Sequence, residues 1–167
     1  MNKEISMRHV LLIALLSGLT LRLLTGVAGA SHYAVADVPT LISAAEAEKL
    51  SKAGVGTTEE LLQKSASSKD RKALVKASGL SSTAVMTLAR RCDLLRIKGV
   101  GPEMVLLLEA AGVHTTADLS KKEPAALTTA TDQANKSKKI SEKPPTAPQF
   151  QDWIAQAKQL PPVLSAP

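Results

Sequence analysis

The sequence has very few aromatic residues and a single cysteine. Tyr33, Phe150 and Trp153 are the only aromatic side chains among 167 residues, whereas Ala, Leu, Lys, Ser and Thr are abundant. An apolar core must therefore consist of small and medium aliphatic side chains, which favours helices. Cys92 has no second cysteine to pair with, and the three histidines form no cluster with zinc-ligand spacing. We therefore predict no disulfide, no metal site and no cofactor.

The sequence also lacks the short patterns that carry common catalytic or nucleotide-binding chemistry. No G-x-S-x-G, H-E-x-x-H or G-x-x-x-x-G-K-[ST] pattern occurs in it. The chain is long enough for one or two small domains and too short for a large catalytic core. We predict that the protein is not an enzyme, and nothing in the sequence indicates a small-molecule substrate.

The charge of the chain is moderately basic. Lys and Arg number 21 against 15 Asp and Glu, which gives a formal net charge of +6 and a pI of about 9.6. A basic excess favours a polyanionic partner such as nucleic acid, although it does not identify one.

The first thirty residues differ in character from the rest. Two basic residues precede an apolar run over residues 10–21, and the segment ends in the small residues 28–30. This order is typical of a secretory signal peptide. We therefore predict a signal peptide over residues 1–30, cleaved between Ala30 and Ser31, and export to the periplasm or the medium. A retained membrane anchor and a cytoplasmic protein are the alternatives.

One sequence unit occurs twice. The stretch AGVGTTEELL (Ala53 to Leu62) aligns with AGVHTTADLS (Ala111 to Ser120) at an offset of 58 residues. In each copy a leucine-bearing helix is predicted to end at the glycine, which can adopt the left-handed conformation. A threonine, Thr57 or Thr115, is then placed to cap the next helix, with an acidic residue three positions later. The sequence therefore predicts a repeated helix, Gly-Val turn and capped helix.

Two further glycines precede the repeated helix in its second copy. Residues 98–101, with the sequence KGVG, are predicted to form a hairpin, and Pro102 begins the next helix. Since glycine lacks a Cβ, successive amides there can point at an anion, which the helix dipole also favours. Nearby basic residues would add charge. The candidate nucleic-acid-binding residues are Lys98, Gly99, Val100, Gly101, Arg96 and Arg91.

The whole pattern predicts an all-α fold of tandem helix-hairpin-helix units. No segment alternates with a period of two, so no strand is expected. We predict a tandem helix-hairpin-helix domain over residues 31–140 and a proline-rich linker over residues 141–148. A C-terminal helix is predicted over residues 149–160, followed by a flexible tail over residues 161–167.

Several blocks of the chain, taken in order, resemble one protein family. They include EKLSKAGVGTTEELL, DLLRIKGVG, LLEAAGVHTTADL and DWIAQAKQL. Over about residues 31–160 the chain resembles an uncharacterised bacterial domain-of-unknown-function family of tandem helix-hairpin-helix units, related to DNA-binding modules. The resemblance implies an all-helical fold but no established ligand. The chain departs from this resemblance at Leu41-Ile42-Ser43, where the family's first unit resembles a G-I-G hairpin, so phosphate binding is not predicted there.

Two functions remain open at this point. The first is a module that binds the phosphate backbone of nucleic acid without reading its sequence, with strong salt dependence. The second is an exported interaction or scaffold domain that binds another protein and whose glycine hairpins serve only as packing hinges.

Overall fold

The computed structural model of the protein describes residues 32–165, which are predominantly helical. A short 3₁₀ helix (Val35–Asp37) precedes eight α-helices: α1 (Ala44–Lys52), α2 (Thr58–Gln63), α3 (Ser68–Ser78), α4 (Ser82–Leu94), α5 (Pro102–Ala110), α6 (Thr116–Leu119), α7 (Pro124–Lys138) and α8 (Ala147–Gln159). These residues contain no strand, only an isolated antiparallel bridge between Ala34 and Thr57. The predicted all-α fold is confirmed.

The repeated unit is present twice in the structure. Helices α1 and α2 form the first copy, and α5 and α6 begin 58 residues later. Gly54 and Gly112 end the first helix of each copy with φ of +73° and +77°. The amides of Val55 and Val113 then donate, at 2.9 Å in both copies, to the carbonyl of the last leucine of that helix. The two turns therefore have the same hydrogen-bonding pattern.

The second helix of each copy begins at the predicted threonine cap. Thr57 Oγ1 accepts a hydrogen bond from the Glu60 amide at 3.1 Å, and Thr115 Oγ1 accepts one from the Asp118 amide at 3.0 Å. The acidic side chain accepts in return from the threonine amide in both copies. Both capping boxes are therefore formed as the sequence predicts.

The core consists mainly of aliphatic side chains from all parts of the fold. Helices α2 and α3 pack against α4, and α5 packs against α7. Helix α8 packs against α6 and α7 through its apolar face, which includes Phe150 and Trp153. These two rings meet edge to face with centroids 5.5 Å apart, so α8 is an integral part of the core.

The C-terminal segment differs from the sequence prediction. Helix α8 begins at Ala147, within the predicted linker, and the described part of the predicted tail, residues 161–165, is docked where flexibility was expected. The Ser165 amide donates to the Ala66 carbonyl at 2.9 Å, and Val163 and Leu164 pack half-buried against the core. The physical reason is that removing these two apolar side chains from water lowers the free energy of the folded state.

The predicted signal peptide and its cleavage site lie outside the described residues. Within residues 32–165, no helix has the length and apolar character needed to cross a membrane.

Candidate functional site

The hairpin between α4 and α5 depends on glycine at its centre. Gly99 has a φ of +89°, a conformation that other residues rarely adopt. A Cβ on Gly99 would also lie 3.1 Å from Nε1 of Trp153. The neighbouring Val100 is fully buried, and its amide donates to the Ile97 carbonyl at 3.1 Å. Val100 therefore anchors the hairpin in the core, while Gly99 allows the chain to turn beneath α8.

Helix α5 begins without a side-chain cap. Its first flanking residue is Gly101, whose extended backbone (φ −93°, ψ 179°) is followed by Pro102. The Val105 amide donates to the Gly101 carbonyl at 3.0 Å, which is the first hydrogen bond of the helix. The amides of Glu103 and Met104 therefore have no acceptor within the helix. Both lie at the positive end of the helix dipole.

The first copy of the unit closes the equivalent helix with its own side chains. Ser43 lies 58 positions before Gly101, and its Oγ accepts from the Glu46 amide at 3.4 Å. The Glu46 carboxylate accepts in return from the Ser43 amide at 2.8 Å. The second copy has Gly101 and Met104 at these two positions. The duplicated helix start is therefore capped in the first copy and open in the second.

Lys98 contributes an unpaired positive charge to this region, whereas its main-chain amide and carbonyl are hydrogen-bonded to Gln156. Its amide donates to Oε1 of Gln156 at 2.8 Å, and Nε2 of Gln156 donates back to the Lys98 carbonyl at 3.3 Å. The Lys98 side chain is exposed, and no described residue forms an ion pair with it. An anion can therefore use the ammonium group of Lys98 but not its amide.

Arg91 lies elsewhere than the sequence predicted. Its guanidinium pairs with Glu109, with Nη2 and Oε2 3.0 Å apart, and Nη1 donates to the Leu41 carbonyl at 2.6 Å. Arg91 thus joins α4 to α5 and to the first hairpin. Because Glu109 compensates its charge, Arg91 does not supply positive charge to the second hairpin.

Arg96 is also engaged within the fold. Its Nη1 lies 2.8 Å from Oδ1 of Asp93, and its Nη2 donates to the Pro161 carbonyl at 3.0 Å. The second oxygen of Asp93 accepts from the amide and the hydroxyl of Thr116, at 2.7 and 2.9 Å. Arg96 and Asp93 therefore connect the hairpin to the turn before α6 and to the C-terminal segment. Of the three basic side chains predicted to bind nucleic acid, Lys98, Arg96 and Arg91, only that of Lys98 forms no ion pair with a described residue.

The first hairpin follows a different course from the second. Leu41 and Ile42 are each only 2% exposed, and neither has the positive φ found at Gly99. Both side chains pack in the core, and Ser43 closes the helix that follows. Leu41 and Ser43, which lie 58 positions before Gly99 and Gly101, therefore serve the core and the cap.

An open recess lies beside the start of α5, where the segment after α7 approaches it. It has a volume of about 650 Å³ and is lined by Glu103, Lys139, Ile140, Ser141, Glu142 and Lys143. The recess could not be predicted from the sequence, because nothing local to the lysines of this segment indicates the neighbouring helix. In the described part of the chain, no three His, Cys, Asp or Glu side chains are grouped so that they could hold a metal ion.

The fold and this geometry define an all-helical domain in which a unit of two helices joined by a Gly-Val turn occurs twice, and the first helix is capped by a side chain only in the first copy. The family model described as "Domain of unknown function (DUF4332)" matches residues 40–160, and the chain belongs to that family. The predicted membership of an uncharacterised domain family is thereby confirmed. No curated protein and no solved structure matches the chain significantly.

Proposed function

We propose that this protein binds the phosphate backbone of nucleic acid without reading its sequence, and that the contact lies at the N-terminus of α5. The observation that carries the proposal is the open start of α5, set against the capped start of α1 at the equivalent position. Helix starts with free amides favour phosphate because the amides donate to it and the dipole attracts its charge.

The chemistry around this helix start fits a backbone contact. Lys98 supplies an exposed ammonium group next to the hairpin, and the amides of Glu103 and Met104 supply donors. These groups recognise phosphate and make no distinction among bases, so the binding should be independent of sequence. The exposed carboxylate of Glu103 opposes the anion, and we therefore expect modest affinity with strong salt dependence. The chain also resembles a family related to DNA-binding helix-hairpin-helix modules; this resemblance identifies no ligand by itself but is consistent with phosphate binding.

The sharpest test is to close the open helix with a carboxylate. A Cβ on Gly101 meets no atom within 4 Å, and its φ of −93° suits any residue. Gly101→Asp should cap α5, which stabilises the fold by roughly 0.5–1 kcal/mol. The same carboxylate should repel phosphate, so duplex DNA binding in a mobility-shift titration should weaken at least ten-fold. Gly101→Ala, which adds a Cβ without an acceptor, is the matched control and should bind within about two-fold of wild type.

A second variant tests the charge. Lys98→Ala should remove one phosphate contact and reduce the slope of log affinity against log salt by about 1. The proposal is wrong if the wild-type protein fails to bind DNA at low salt. It is equally wrong if Gly101→Asp binds as tightly as Gly101→Ala. In either case the second hairpin is a packing hinge. The function to test is then the alternative, an exported domain that binds another protein.

A further inference from the structure

We propose that the recess beside α5 makes a second phosphate contact through Lys139 and Lys143, so that the partner is a continuous nucleic-acid strand and not an isolated phosphate or nucleotide. This inference rests on the proposed function and extends it. Glu103, the second residue of α5, lines the recess together with both lysines, so the recess adjoins the open helix start.

The backbone of Lys139 is the first observation in its favour. Lys139 has φ +50° and ψ +48°, and it is the only non-glycine residue with a positive φ among residues 32–165. Helix α3 ends in the same left-handed conformation with Gly79, which adopts it without steric cost. A lysine at this position therefore makes the helix end less stable than a glycine would. What the lysine supplies, and a glycine would not, is a positive charge.

The segment that carries the two lysines is held firmly in place. The side-chain amide of Asn135 donates to the Ser141 carbonyl at 2.8 Å and accepts from the Ser141 amide at 2.8 Å. Gln156 holds the main chain of Lys98 in the same manner on the hairpin that precedes α5. Because one amide clamp fixes each of these two segments, the recess exists before a ligand binds, which reduces the entropy lost on binding.

The charge of the segment favours a polyanion. Residues 136–143 contain four lysines and one acidic residue, Glu142, and no described residue forms an ion pair with any of the lysines. The recess itself also holds the carboxylates of Glu103 and Glu142. These two groups oppose phosphate, so the contact should lie at the ammonium groups of Lys139 and Lys143, which line the same recess. Replacing Glu142 with Gln should accordingly strengthen binding.

The test uses a substitution that should affect stability and binding in opposite directions. Lys139→Gly relieves the left-handed lysine, so the melting temperature should rise. It also removes one charge, so the log–log salt slope for a 20-nucleotide single strand should fall by about 0.7 and the affinity by about three-fold or more. The double variant Lys139→Gly with Lys143→Ala should lower the slope by about 1.4.

The matched control is Lys136→Ala with Lys138→Ala. It removes two charges from the same end of α7, but neither lysine lines the recess. We expect this pair to change the slope by less than about 0.5. An equal loss in the control pair would overturn the inference, because the attraction would then be diffuse. So would a Lys139→Gly protein that retains the wild-type slope while Gly101→Asp abolishes binding. If the wild-type protein binds no nucleic acid, the proposed function fails as well.

Discussion

At the scale of single residues, Asp93 is the buried acceptor around which the second unit is organised. Its side chain is 4% exposed, and it receives hydrogen bonds from Arg96 and from both polar groups of Thr116. A carboxylate this deeply buried is tolerated only when it is both paired and hydrogen-bonded. The arginine nearest the hairpin therefore serves the fold, and Lys98 is the basic residue of the hairpin whose charge is available to a ligand.

Cys92 gives a residue-scale prediction about pH. Burial, reinforced by the neighbouring Asp93 carboxylate, raises the pKa of the Cys92 thiol from 9.0 to about 12. The folded protein thus keeps the thiol protonated, whereas the unfolded chain loses the proton near pH 9. The stabilisation from this group is fully present below pH 9 and is lost as pH rises toward 12. At pH 10.5 we expect the loss of this stabilisation to lower the free energy of unfolding by about 2 kcal/mol relative to its value below pH 9, measured by urea denaturation.

Cys92→Ala is the control for this titration. It should lack this component of the pH dependence of the free energy of unfolding. In the native protein at pH 8, a thiol reagent should label Cys92 only as fast as the chain unfolds. Rapid labelling of the folded protein would contradict the prediction.

At the scale of structural elements, the two copies of the unit differ in how their first helix begins. Helix α1 begins at a capping box, whereas α5 begins without one, and the hairpin that precedes α5 is hydrogen-bonded to Gln156 of α8. The segment after α8, residues 161–165, acts as a C-terminal strap that reaches the turn between α2 and α3. Arg71 donates to Ser165 Oγ at 3.3 Å in this contact. The strap therefore joins the end of the chain to its first unit.

The strap gives a prediction about stability. Val163 and Leu164 are half-buried against the core. A fully buried side chain of this kind contributes about 1.5–3 kcal/mol, and a half-buried one roughly half as much. The double substitution Val163→Ser with Leu164→Ser should therefore lower the free energy of unfolding in urea by about 2 kcal/mol. Pro162→Ser, at an exposed position of the strap, should change it by less than about 0.5 kcal/mol. A double variant as stable as wild type would show that the strap does not dock in solution.

At the scale of the whole molecule, the two copies are joined by contacts between distant parts of the chain. Helix α2 of the first unit packs against α4, which leads into the second. Arg91 on α4 donates to the Leu41 carbonyl in the first hairpin, and the strap returns from α8 to the first unit. Neither copy is therefore an independent body.

These connections predict a single cooperative unfolding transition. Trp153 is the only tryptophan and lies buried in α8, so its fluorescence reports on the second unit and the C-terminal helix. Far-UV circular dichroism reports on all the helices. The two signals should follow one urea transition with the same midpoint, as expected for a small domain. A tryptophan transition that precedes the loss of helix would show that α8 separates first.

The sequence alone determined the local features of this protein. The glycine turns at Gly54 and Gly112 and the caps at Thr57 and Thr115 depend on residues three to five positions apart. The same holds for the start of α5 at Pro102. Because each of these features involves one short segment, its residues are visible together in the sequence, and the all-α fold and its duplication follow from them.

Only the tertiary structure decided which charged and polar groups remain available. Gln156 is 58 residues from the Lys98 main chain that it holds, and Leu41 is 50 residues from Arg91. No local pattern predicts such pairs, because they form only when packed helices bring remote segments within hydrogen-bond distance. For the same reason, the sequence predicted a flexible tail after α8, although two apolar side chains of that segment dock on the core. It also predicted that Lys98, Arg96 and Arg91 bind nucleic acid, although both arginines form ion pairs within the fold.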